Sequence, residues 1–213
     1  MSVVAKERAA LADLFDKVGP DEPTRCEGWD TEDLLIHLLV RERRADAQPG
    51  LYLSFAKPWT DKVKGDFRAR GWSELVKEFR GGPGRLNPVS WGPVDELINA
   101  GEYFIHHEDV RRGRPGWEPR KLDEETTRYL DKGVRSAYLR YSVRKAGVGV
   151  AAVLPGGDRV ELRKGEPEAI VTGEPGEILI WSSGRPAARV EITGDAGAVA
   201  ALDRVGLRVD PSL

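Results

Sequence analysis

Cysteine is nearly absent from this chain: Cys26 stands alone in 213 residues, which excludes an internal disulfide. Long apolar runs are missing as well. No stretch approaches the ~18 consecutive apolar residues that a membrane span needs. Neither sign of charge dominates, since 33 basic and 35 acidic residues leave a net charge of −2, and no broad field exists to recruit nucleic acid or an anionic membrane. The short basic clusters Arg41-Glu42-Arg43-Arg44 and Arg111-Arg112 read as solvated helix faces. The segment from Met1 to Arg8 carries charges where a signal peptide needs an apolar core, which fits a soluble cytoplasmic protein. No glycine-rich phosphate-binding frame follows a strand, so nucleotide binding lacks support. Histidine is scarce too, with three in the chain, and two of these sit where a metal would use them.

What is present is helical patterning followed by a change of period. Val4, Leu11, Leu14, Phe15 and Val18 mark a helix over 3–18 that Gly19-Pro20 stops. A turn-rich connector, 21–29, leads to Asp30, a capping residue for a helix over 31–45, with Trp29 and Leu34 at staple positions. Residues 46–71 read as irregular or weakly helical. A short helix fits 73–79, stopped by Gly81-Gly82-Pro83-Gly84, and longer ones fit 93–112 and 123–144. Leu130, Val134, Tyr138 and Tyr141 form the expected inner stripe of the last. These helices read as an antiparallel bundle over 1–145. After Lys145-Ala146-Gly147, an apolar run over 148–154 turns at Pro155-Gly156-Gly157-Asp158 into the alternating 159–163, the pattern of a hairpin. Strands over 169–172 and 188–192, with helices over 177–182 and 195–205, complete a small α+β domain over 146–213.

Glu102 and His106 are four residues apart on one helix. At about 100° per residue they fall roughly 40° apart on one face. His37 lies inside a separate apolar helix, Leu34-Leu35-Ile36-His37-Leu38-Leu39. One imidazole and one carboxylate from a helix, with a further imidazole from a facing one, make a three-ligand site with open positions, an arrangement of the catalytic type. Each part has a plainer reading: a histidine between leucines as a hydrogen-bonded core residue, and the Glu102/His106 spacing as a surface ion pair. His107 points about 100° away from His106 and is not expected to ligate. Arg41 and Arg44 share the face of His37, either to bind an anion or to reach solvent. Cys26 has no His-Asp relay apparent in sequence and reads as a small buried hydrophobe.

The runs Thr24-Arg25-Cys26-Glu27-Gly28-Trp29-Asp30, Asp33-Leu34-Leu35-Ile36-His37-Leu38 and Glu102-Tyr103-Phe104-Ile105-His106-His107-Glu108-Asp109-Val110 resemble the mycothiol-dependent maleylpyruvate isomerase family, within the DinB-like metal-binding bundles of actinobacteria. The resemblance continues through 172–185 and 192–195, similar to that family's sterol-carrier-like C-terminal domain, and spans about residues 3–208. Residues 46–91 match nothing in it. The resemblance implies an α+β protein, a DinB-like four-helix bundle followed by a small sterol-carrier-like domain. It implies a divalent metal, zinc or alternatively nickel, held by His37, Glu102 and His106. Asp109 matches the aspartate that follows the second histidine by three in the family pattern, and stands either to orient a ligand histidine or to offset the charge of Arg112. Arg185 is the candidate for the family's C-terminal-domain arginine near the site, and Arg41 is a further substrate-binding candidate. The implied cosubstrate is mycothiol, with a small electrophilic substrate and either isomerase or thiol-transferase chemistry. Two alternatives stay open: a metal-dependent hydrolase on the same bundle, and a non-enzymatic metal- or small-ligand-binding protein.

Overall fold

A computed structural model of the chain describes residues 2–83 and 93–211, the side chains of 93–98 excepted. The chain divides into two compact units, Met1–Trp117 and Glu118–Leu213. The first is helical: α1 (Val3–Val18), α2 (Thr31–Arg43), α3 (Lys57–Arg68), α4 (Trp72–Arg80) and α5 (Pro93–Arg111). The helix ends follow their local chemistry. Ser2 caps α1 by accepting from the Ala5 amide, and Asp30 caps α2 by accepting from the Asp33 amide at 2.8 Å. Thr31, fully buried, donates to the Gly19 carbonyl at 2.5 Å and accepts from the Glu22 amide at 3.2 Å, which fixes the turn between α1 and α2.

The core of this unit is aliphatic with an aromatic seam. Leu11 of α1, Leu34, Leu35, Leu38 and Leu39 of α2, and Leu75 of α4 are buried. Each contributes about 1.5–3 kcal/mol of apolar burial. Phe15 stands edge-on to Trp72 (5.6 Å between centroids) and Phe79 (6.0 Å), and Phe79 stands edge-on to Tyr103 (5.7 Å), so that one aromatic chain links α1, α4 and α5. Beside it lies a buried polar network that couples α1, α2 and α5. Arg8 donates to the Tyr103 hydroxyl at 2.6 Å, that hydroxyl donates to Glu42 at 2.5 Å, and Arg8 lies 3.4 Å from the same carboxylate. Burial pushes the Glu42 carboxyl above its ordinary range against the opposing pull of Arg8. Low dielectric makes such a network expensive to break, so it sets the register of the three helices.

Several expectations change here. The segment 46–71 contains two 3₁₀ turns (Gln48–Leu51 and Ser54–Ala56) and the full helix α3, whose buried face is Thr60, Val63 and Phe67. The basic clusters are not simply solvated: Glu42 and Arg112 are buried, Arg112 pairs with Glu108 at 2.7 Å and lies over the Trp117 ring at 4.2 Å. Gly84, expected in the stop after α4, lies outside the described residues.

The second unit opens with α6 (Glu124–Val134) and α7 (Ala137–Val143), two helices where one was expected over 123–144. Ser136 caps α7 through the Leu139 amide, and this break resets the helical phase. Leu130 and Val134 are buried as expected, but Leu139 and Val143 replace Tyr138 and Tyr141, which are exposed. A four-stranded sheet follows: β1 (Gly149–Val153), β2 (Arg159–Arg163), β3 (Glu168–Gly173) and β4 (Val190–Gly194), in the order β2-β1-β3-β4. β1 pairs antiparallel with β2 and parallel with β3, and β3 pairs antiparallel with β4. Helix α8 (Pro175–Ser182) links β3 to β4, and α9 (Ala196–Arg204) starts at the Asp195 cap. The pattern change near Lys145 therefore lies inside the second unit, where α6 packs on α8 with Gly133 against Leu179. The whole is an α+β protein, and among the described residues no helix is long and apolar enough to cross a membrane.

Replacing Phe79 by alanine is expected to destabilise the helical unit by about 3–5 kcal/mol, through lost burial and the cavity left between α1, α4 and α5. Denaturant unfolding followed by a probe in the first unit checks this, and a loss below about 1 kcal/mol would mean the aromatic seam is dispensable.

Candidate metal centre

Two elements bring the site together. The apolar positions of α2 face the core, and His37 sits among them with most of its ring covered. Its Nδ1 is buried and has no hydrogen-bond partner among the described residues. The core side of α5 presents Glu102 and His106. His37, Glu102 and His106 each offer a donor atom, and these atoms lie within 4.8 Å of one another. His106 Nε2 is 3.6 Å from Glu102 Oε2, and the His37 and His106 rings meet edge to face at 5.5 Å. Arg41, one turn beyond His37, pairs with the Glu102 carboxylate and reaches Asn99 at 3.5 Å.

The protonation states of the three donors follow from their surroundings. Burial, with the charges of His106 and Arg41 beside it, lowers His37 to about 3, so its imidazole is neutral and able to donate a lone pair. Burial pushes the Glu102 carboxyl up, but His106 and Arg41 outweigh it and hold Glu102 at about 2. Burial would also lower His106, yet its contacts with Asp109, Cys26 and Glu102 prevail and raise it well above its ordinary value. A neutral imidazole, an ionised carboxylate and a second imidazole whose donor atoms lie within 4.8 Å of one another form a donor set of the kind that zinc or nickel accepts. An unsatisfied buried polar atom such as His37 Nδ1 costs on the order of 1–3 kcal/mol.

The other side of His106 is equally constrained. His106 Nδ1 lies 3.0 Å from Asp109 Oδ2, the arrangement in which a carboxylate fixes the ring orientation of a ligating histidine. Asp109 therefore faces His106. The connector between α1 and α2 is clamped onto the end of α5: the Arg25 amide donates to the Asp109 carbonyl at 3.0 Å and Arg25 Nε to the Arg112 carbonyl at 2.5 Å, which satisfies two carbonyls a helix end leaves open. A side chain at Gly113 would collide with the Pro23 carbonyl, so only glycine allows the connector this close.

That clamp places two residues read differently from the sequence. Cys26 is no plain core hydrophobe: its sulfur lies 3.2 Å from Asp109 Oδ2 and 3.9 Å from His106 Nδ1. Trp29, expected as a staple against Leu34, lies against the His37 ring at 5.0 Å, with Lys64 5.5 Å from the Trp29 ring centre. The distance of about 80 residues between Cys26 and its partners hid this contact; the Arg25–Cys26–Gly28 turn carried no spacing signal for it. Arg44 turns away to Asp46 at 2.8 Å. His107 faces Glu7 at 3.3 Å on α1, away from the metal set. Arg185 belongs to the second unit, where it follows α8 and donates to the Ser183 carbonyl at 2.8 Å.

The chain is similar in fold to a solved mycothiol-dependent maleylpyruvate isomerase, with 15% identity, 91% of this chain and 92% of that chain covered, and a TM-score of 0.54. A histidine-to-alanine mutant of that isomerase aligns over the same shares at 15% identity with a TM-score of 0.48. No protein-family model and no curated protein matches the sequence. At this identity the likeness is one of fold.

Of the three donors, only His106 holds a proton near neutrality, because His37 and Glu102 titrate at about 3 and about 2. Metal must displace that one proton, so affinity should rise about tenfold per pH unit as pH increases from about 6 toward the His106 pKa, and level off above it. Chelator competition across that range checks the sign and slope. A flat profile would mean His106 is not a ligand.

Proposed function

We propose that this protein is a divalent-metal-dependent enzyme that uses a small thiol, of the mycothiol type, on a small electrophilic substrate, as a thiol transferase or isomerase. The observation that carries the reading is the convergence of His37, Glu102 and His106 from two helices, with His37 Nδ1 buried and unpartnered among the described residues. The shared fold with a mycothiol-dependent maleylpyruvate isomerase supports the choice of thiol chemistry over other metal chemistry. A zinc or nickel ion held there would act as a Lewis acid and lower the pKa of a bound thiol.

The protein's own groups divide the remaining work. Asp109 holds the His106 ring at its Nδ1 side and so presents Nε2 toward Glu102 and His37. Arg41 steadies the Glu102 carboxylate and keeps further N–H groups for an anionic part of the substrate. Glu102 is part exposed, with 35% of its side chain accessible, which leaves the site an approach from solvent. Trp29 walls that approach through its contact with His37.

A second reading concerns the second unit by itself. An open groove of about 590 Å³ runs along β4 and α9, lined by Val190, Ile192, Val199, Leu207 and Val209 among others. It supports binding of an apolar ligand, which displacement of a fluorescent fatty acid would detect.

Protein purified without chelators should carry about one equivalent of zinc or nickel, and His37→Ala, Glu102→Ala or His106→Ala should each lower metal affinity by more than the 10–100-fold typical of losing an outer partner. Elemental analysis showing wild-type protein free of metal would end this reading. Adding mycothiol to cobalt-loaded Cys26→Ser protein, which has no thiol of its own, should produce a sulfur-to-cobalt charge-transfer band. An unchanged spectrum at saturating thiol would leave a metal-dependent hydrolase as the better description.

A further inference from the structure

We infer that Cys26, His106 and Asp109 form a second cation site, suited to a thiophilic divalent metal, that competes with the first site for His106. The three contact atoms, Cys26 Sγ, His106 Nδ1 and Asp109 Oδ2, are separated by 3.9, 3.2 and 3.0 Å. Those edges describe a triangle whose corners lie about 2.0 Å from a common centre, against Zn–N and Zn–O bonds of ~2.0–2.2 Å and a Zn–S bond of about 2.3 Å. A small displacement of the cation out of the plane matches all three lengths and leaves a fourth, tetrahedral position. The same atoms fall within the 4.8 Å span that also brackets the first set.

The supports of this triangle are firm. His106 and Asp109 are buried, with 6% and 1% of their surface exposed, and both stand on α5 one turn apart. Cys26 is part exposed and is held by its own loop: its amide donates to Thr24 Oγ1 at 3.1 Å, and its carbonyl accepts from the Trp29 amide at 3.0 Å. Arg25 ties the loop to the end of α5 on the adjacent residue. No reorganisation of backbone is needed to reach ligation distance.

Chemistry separates the two sites. The first offers two imidazoles and a carboxylate; the second offers a thiolate, an imidazole and a carboxylate, and sulfur favours zinc, cadmium and cobalt over magnesium or calcium. Binding at the second site releases the Cys26 thiol proton and the His106 Nδ1 proton to solvent as the divalent ion enters. His106 then retains its proton on Nε2, which faces Glu102, and the first site is left with two ligands. An excess of thiophilic metal thus silences the first site without touching His37 or Glu102.

The experiment uses full-length protein in buffer without small thiols. Cys26 is the single cysteine, so a protein-derived sulfur-to-cobalt band has one possible origin. His37→Ala protein, which lacks a complete first site, should bind cobalt with that band, and adding Cys26→Ser to it should remove the band. In the wild type, cadmium at about ten times its dissociation constant should slow alkylation of Cys26 by iodoacetamide about tenfold, magnesium should not, and Asp109→Asn should abolish the protection. Cobalt bound to His37→Ala without a sulfur band overturns the inference. So does alkylation unaffected by cadmium, or protection that survives Asp109→Asn. The comparison of cadmium with magnesium uses the wild type, with both sets intact, so it stands even where His37→Ala fails to fold, and neither arm depends on catalytic activity.

Discussion

A neutral imidazole pressed into a helix interface, with one buried nitrogen that no group among the described residues satisfies, is the constraint on which the first unit turns. His37 cannot face water without pulling Leu34, Leu35, Leu38 and Leu39 out of the core, because they share its helix. It cannot take a proton cheaply, because burial and the neighbouring cations oppose the charge. A partner must therefore come from the facing helix, and α5 supplies Glu102 and His106. The Arg8–Tyr103–Glu42 network holds α1, α2 and α5 in the register that makes this meeting possible. Tyr103 immediately follows Glu102 in sequence, so the network and the donor set are fixed by the same turn of α5.

Much of this was legible in the residues, and the reasons are local. Capping by Asp30 and the apolar run around His37 specify α2 whatever its surroundings, and Glu102 and His106 share a face by helical geometry alone. What stayed hidden depended on tertiary context. Helix α3 buries only Thr60, Val63 and Phe67, too sparse a stripe to stand out between prolines, glycines and charges. The break at Ser136 is a capping event whose effect, the exchange of Tyr138 and Tyr141 for Leu139 and Val143 in the core, shows only once α7 has its own phase. The approach of Cys26 to Asp109 depends on the clearance at Gly113 and on Arg25 closing the end of α5, contacts that no periodicity encodes. Buried charges such as Glu42 and Arg112 were invisible for a similar reason: a charged residue on a helix reads as surface until its partner is known.

Fold and chemistry carry different weight here. An α+β architecture shared at 15% identity says how the elements are arranged, while the donor atoms say what they could hold. His106 is the residue where these meet. It faces Glu102 and His37 through Nε2 and Asp109 and Cys26 through Nδ1, so its two nitrogens look into two different donor sets. An orienting carboxylate behind a ligating histidine is a common support. A thiol added to that support changes its character, since sulfur can itself become a ligand.

Anomalous diffraction at the metal absorption edge, from crystals of protein never exposed to chelator, addresses the central claim most directly. A cation in the first site requires a single strong peak about 2.0–2.2 Å from one nitrogen of each of His37 and His106 and from a Glu102 oxygen. A peak elsewhere, or none in protein that was never stripped, would contradict it and leave His37 as a half-buried histidine with an unexplained bare nitrogen.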